Sequence, residues 1–111
     1  MIGNKDFLVV LSTVPSKAVG IEIADKLVSQ RLAACVNVVP GIVSIYEWQG
    51  KIERNDEALL IIKTMGSRLE DLVTEIRKLH PYEIPEIITI PIDSGYEPYL
   101  DWIMDSLQAA S

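Results

Sequence analysis

The chain has one cysteine, one histidine and one phenylalanine in its 111 residues. A lone Cys35 rules out an intrachain disulfide and fits a reducing compartment. One cysteine and one histidine also exclude any zinc motif with paired Cys/His spacing, and there is no Gly-rich phosphate loop. No apolar run approaches the roughly 20 residues needed to span a bilayer. The opening Met1-Ile2-Gly3-Asn4-Lys5-Asp6 lacks the layout of a signal peptide, so a cytoplasmic protein without membrane contact is expected. Positive charge is scarce too: 10 Lys+Arg stand against 16 Asp+Glu, a net charge of −6. Those cations are scattered, which argues against nucleic acid as a partner, because nucleic acid demands clustered Lys and Arg. Linkers, repeats and low-complexity stretches are absent, so residues 1–111 read as one domain.

Apolar residues, by contrast, are abundant. At 49% of the chain, with no membrane-length run, they point to surface buried against another subunit. Residues 7–14 are apolar and rich in β-branched side chains, and they stop at Pro15, as a strand does. Ser16 is placed to cap a helix in which Val19, Ile23, Ala24, Leu27 and Val28 recur up to about Arg31. Residues 33–48 form a long strand bent or bulged at Pro40-Gly41. Gln49-Gly50 supplies a two-residue hairpin turn, and the returning strand runs through residues 58–64. Ser67 and Glu70 have capping-box spacing, ahead of an apolar helical stripe of Leu69, Leu72, Val73, Ile76 and Leu79. A strand over 86–92 follows, with Pro91 marking it as an edge. A last helix starts near Pro98 and carries Leu100, Ile103, Met104 and Leu107.

The expected fold is therefore α+β, a ferredoxin-like β-α-β-β-α-β sandwich with an extra C-terminal helix and a long central hairpin. Helices in this arrangement cover one sheet face only, yet Phe7/Val9/Leu11 and Leu8/Val10 are apolar on both. The same holds for Leu59/Ile61 with Leu60/Ile62, and for Ile88/Ile90 with Ile87. A second face that apolar requires cover by another chain, so a homo-oligomer is expected. The outer hairpin, residues 44–56, is too polar and too long to end inside one domain. Tyr46 and Trp48 share one of its faces, suited either to docking on a neighbouring subunit or to plain cross-strand packing.

Two places could carry chemistry. His80 lies in His80-Pro-Tyr-Glu-Ile-Pro85, a loop stiffened by two prolines between a helix and a strand. It is either a proton- or metal-handling residue or simply the end of the helix. In the second place, the pairing arithmetic of the hairpin sets Lys63 opposite Cys35 if one residue is bulged at Pro40-Gly41. An ammonium there favours the thiolate, a soft metal ligand and nucleophile; the plainer alternative is an inert core cysteine. Glu53, Asp56 and Glu57 read as a solvated face.

Five blocks in order carry a family resemblance. They are Arg31-Leu-Ala-Ala-Cys-Val-Asn37, Ser44-Ile-Tyr-Glu-Trp-Gln-Gly-Lys51, Glu57 with Ile61-Ile-Lys-Thr64, the His80 block, and Tyr99-Leu-Asp-Trp102. Together the chain resembles the CutA divalent-cation tolerance family. That resemblance implies a small cytoplasmic homotrimer similar in assembly to the PII signalling proteins, with no catalytic role, linked to tolerance of copper and other divalent cations. Its motif residues would be Cys35, Tyr46, Trp48, Glu57, Lys63, His80, Tyr82, Glu83, Tyr99 and Trp102, gathered in clefts between subunits. A copper site would draw on Cys35 (thiolate), His80 (imidazole) and Glu83 (carboxylate), a soft-plus-borderline set. The rival expectation is a PII-like signalling or adaptor module. Its inter-subunit cleft would bind a small anionic metabolite through Lys63, with stacking on Tyr82 or Trp48.

Overall fold

The computed structural model describes the backbone of residues 2–3 and residues 6–108 in full. In chain order the elements are β1 (Ile2–Gly3), β2 (Phe7–Val14), α1 (Lys17–Ser29), β3 (Cys35–Trp48) and β4 (Lys51–Met65). They continue with α2 (Gly66–Leu79), β5 (Ile88–Pro91), β6 (Ser94–Gly95) and α3 (Glu97–Ser106). The main sheet is antiparallel throughout, with strand order β3-β4-β2-β5. This is the split β-α-β order expected from the sequence. Both edge strands carry a proline, Pro40 and Pro91, where a missing N–H costs no ladder bond. A small β1–β6 pair, not anticipated from the sequence, lies apart from this sheet.

Local chemistry explains most boundaries. Ser16 caps α1, its Oγ accepting from the Val19 N–H at 3.2 Å. The helix ends in a Schellman motif: Arg31 N–H donates to Val28 O at 3.0 Å and Leu32 N–H to Leu27 O at 2.9 Å. Arg31 occupies the position usually given to glycine, at φ 58°. Its side chain accounts for the choice. Arg31 Nη1 donates to Ser106 O at 3.0 Å and Arg68 Nη2 to Leu107 O at 2.5 Å. The last turn of α3 has no basic residue of its own, so two borrowed guanidinium groups satisfy its terminal carbonyls and its negative dipole end.

The capping box expected at Ser67 and Glu70 does not form. The α2 cap is Met65, without a side-chain hydrogen bond, because β4 runs directly into the helix. Gly66 N–H instead donates to Asp6 O at 2.8 Å, and Ser67 already lies inside the first turn. The last sheet strand is shorter than the 86–92 expected, since only Leu8 through Leu11 of β2 pair with it.

Helices α1 and α2 cover one sheet face, where Val10, Val14, Leu60 and Ile62 pack against Ile23, Leu27, Leu72 and Ile76. Helix α3 covers only one end of the other face, over Phe7 and Ala34 through Leu100, Ile103 and Leu107. Between α3 and the hairpin that second face is bare. The ladders set Val9, Leu11, Leu59 and Ile61 on it beside Ile88 and Ile90, the last two 51% and 48% exposed. Beyond this centre β3 and β4 project as the hairpin, in a molecule 47 Å long. The bulge falls between Val39 and Ile42, and the turn uses Gln49 (φ 51°) and Gly50 (φ 81°) in a type I′ geometry. Among the described residues no helix is long and apolar enough to cross a membrane.

Candidate functional site

The hairpin and the loop after α2 enclose a cleft of about 760 Å³. Its sheet side comes from Thr13 of β2, Ser44, Tyr46 and Trp48 of β3, and Asn55 and Glu57 of β4. Register explains the grouping: Ser44 faces Asn55, Tyr46 faces Glu53, and Ile42 faces Glu57, so alternate residues of both strands share one side. The loop side comes from Pro81, Tyr82, Glu83, Ile84 and Glu86.

His80 holds that loop in place. It is buried, 7% exposed, and caps α2 with its N–H on Ile76 O. Its Nδ1 accepts from the Tyr82 N–H at 3.1 Å, and its Nε2 lies 2.7 Å from Thr13 O. A nitrogen facing an N–H must accept, so the proton sits on Nε2 and is donated to the carbonyl. Both ring nitrogens are thus engaged within the chain. The Tyr82 ring lies against the imidazole, with centroids 4.7 Å apart.

Tyr82 in turn reaches the sheet, its hydroxyl donating to Glu57 Oε2 at 2.7 Å. Burial first, then the hydrogen bond and charge of Glu57, raise the Tyr82 phenol well above its ordinary pKa. Glu57 is only 7% exposed. The sequence offers one signal that separates it from Asp56 but not from Glu53: it continues the alternation of Leu59 and Ile61 on the bare side of the sheet, and Asp56 does not. What buries it, however, is a loop 25 residues away in sequence. Tyr46 accepts a hydrogen bond from Asn55 Nδ2, which fixes the aromatic at the cleft wall.

Cys35 and Lys63 sit elsewhere. They face each other across β3 and β4, as the bulge arithmetic requires, and Lys63 Nζ donates to Asn37 Oδ1. Burial, and then the nearby Cys35, raise the Tyr99 phenol, which places the thiol toward α3. Lys63 pairs with Val9, whereas the His80 ring is bound to Thr13. Those positions are four residue steps apart, about 13 Å along the sheet. One protomer therefore gathers Trp48, Tyr82 and Glu83 around the cleft whose loop His80 anchors, and keeps Cys35 and Lys63 apart from them. Among the described residues no trio of His, Cys, Asp or Glu converges closely enough to hold a metal ion.

Comparison with known proteins matches residues 8–106 to the family model of the CutA1 divalent ion tolerance protein. The chain is 49% identical over 98 residues to the divalent-cation tolerance protein CutA of Thermus thermophilus, covering 88% of this chain and 95% of that one. It is 48% identical over 99 residues to the chloroplastic protein CutA of Arabidopsis thaliana, covering 89% of this chain and 54% of the relative. It thus spans about half the length of that plant relative and nearly all of the bacterial one. Among solved structures, CutA of Synechococcus elongatus superposes with a TM-score of 0.93 at 34% identity, over 96% of this chain and 95% of that one. CutA1 of Oryza sativa gives 0.91 at 44% identity, over 95% and 96%. The chain belongs to the CutA1 divalent ion tolerance protein family.

Proposed function

We propose that this protein serves divalent-cation tolerance as a cytoplasmic homotrimer, a binding protein and not an enzyme, that holds copper or another divalent cation between subunits. The observation that carries this reading is the bare apolar sheet face of Val9, Leu11, Ile61, Ile88 and Ile90. Left in water, such a patch would drive aggregation, so a second and third copy of the chain are its natural cover. The candidate ligands Cys35 and Glu83 stand at opposite ends of that side, so only neighbouring chains could bring them together. The Cys35 sulfur is the soft donor that suits copper. His80 would join by exchanging the Tyr82 N–H on Nδ1 for the metal, at the cost of one hydrogen bond, about 1 kcal/mol.

Sedimentation at micromolar concentration should give a trimer, and Cu(II) competition titration should show weaker binding in Cys35→Ser and in Glu83→Gln. A stable folded monomer, or copper binding unchanged in the double variant, would refute the proposal. A second reading, a PII-like module that binds a small molecule, is favoured by one specific feature, the cleft walled by Tyr46, Trp48 and Tyr82. Lys63 takes no part in lining it.

A further inference from the structure

The charge of that cleft names the class of its ligand. Glu57, Glu83 and Glu86 line it, and among the described residues no Lys, Arg or His does. Within one protomer an anion would meet three carboxylates and no counter-charge, so this lining disfavours the anionic metabolite that a Lys63-centred site would suit.

Glu57 makes the case for a cation. It is buried, with only 7% of its surface exposed. Among the described residues it makes no ion pair, and its hydrogen-bond donor is the Tyr82 phenol. A carboxylate offers about four lone-pair positions over two oxygens, and a neutral phenol fills one without balancing the charge. A buried carboxylate calls for a positive partner, and none of the described residues of its own chain supplies one.

The aromatic walls decide which cation. Metal ions require several converging donors, and no such trio exists among the described residues. Tyr46, Trp48 and Tyr82 instead offer π surfaces, which attract weakly hydrated organic cations. The cleft's 760 Å³ lies in the range of small-molecule sites, roughly 300–1,000 Å³, far more than a bare ion occupies. We propose that the cleft binds an organic ammonium ion, a protonated amine carried on an apolar body. Its N–H groups meet Glu57 and its body lies among Tyr46, Trp48 and Tyr82. This inference rests on the small-molecule reading, and its cleft shares Glu83 with the proposed copper site.

The test uses the full chain in its native assembly, with Trp102→Phe so that Trp48 is the only tryptophan. Phenethylammonium, the neutral isostere 2-phenylethanol and the anion phenylacetate are titrated while Trp48 fluorescence is followed, with calorimetry in parallel. Phenethylammonium should saturate and bind at least about tenfold more tightly than the alcohol, with phenylacetate not binding. Glu57→Gln, which keeps an acceptor for Tyr82, should remove that preference, and Glu86→Gln should weaken it if Glu57→Gln fails to fold. No saturable binding of the ammonium by either method would overturn the proposal and the small-molecule reading together. Equal affinity for the alcohol would overturn the cation preference alone and leave a small-molecule cleft. Displacement of the ammonium by micromolar divalent cation would overturn it in favour of a metal.

Discussion

The Tyr82 hydroxyl donates to Glu57 Oε2 across 2.7 Å, and through this bond the loop after α2 is tied to the base of the hairpin. The same loop is anchored a second time by His80 on the Thr13 carbonyl. Two tethers from neighbouring residues to two different strands make the cleft wall part of the folded scaffold. It is not an appended loop. The consequences can be measured.

The Tyr82 tether should be visible at alkaline pH. Its folded-state pKa lies above the ordinary value of 10.0, so the folded chain keeps a proton that the unfolded chain releases. The stabilisation is complete below the unfolded value and is lost as pH rises from there through the folded one. Thermal midpoints taken between about pH 9 and pH 11 should therefore fall more steeply for the parent than for Tyr82→Phe. Parallel curves would show that the phenol carries no linkage.

His80 should behave as a loop anchor. Its nitrogen-15 ring shifts at mildly alkaline pH should report the neutral tautomer with the proton on Nε2. His80→Ala removes two hydrogen bonds from a buried position and should cost about 2 kcal/mol in denaturant unfolding. The Tyr82 amide, whose acceptor is His80 Nδ1, should lose its protection against hydrogen exchange in that variant. Retained protection would mean that the loop is held by other contacts.

Gln49 bears a left-handed backbone that its side chain disfavours, at φ 51° beside Gly50 at φ 81°. Asparagine tolerates that region better and is preferred in type I′ turns. Gln49→Asn should stabilise the hairpin by about 0.5–1 kcal/mol, read from the denaturation midpoint. A lower midpoint would show that the Gln49 side chain makes contacts in the assembled protein.

Ser12 is fully buried, and its Oγ has no hydrogen-bond partner among the described residues. It stands opposite Leu60 on the helix-covered face, where a lone hydroxyl carries its desolvation cost uncompensated. Ser12→Ala should raise stability by about 1 kcal/mol. A loss in chemical denaturation would show that the hydroxyl is satisfied.

Much of the framework was legible in local patterns. Strand alternation, the Ser16 cap and the Gln49-Gly50 turn are short-range effects, and each appears where the residues indicate. Counting across the hairpin with one bulge sets Cys35 opposite Lys63, and the ladder agrees. The capping box failed for a local reason of another kind: β4 continues straight into α2, so Ser67 is already helical. Capping residues announce a helix start only where the preceding chain leaves room for one.

His80 was legible only as a residue of interest. Its partners are the Thr13 carbonyl, 67 residues away, and the amide of Tyr82, and no periodicity encodes a contact of that range. Glu57 shows the same limit. In the sequence it is one acid among Glu53 and Asp56, and burial under Tyr82 makes it the charged floor of a cleft. By itself the sequence determined the order of the helices and main-sheet strands, the hairpin register and the excess of apolar surface, because hydrogen-bond periodicity and turn chemistry act over a few residues. Tertiary structure alone decided which side chains share the cleft and that its charge is negative, since both depend on loops brought together across the sheet.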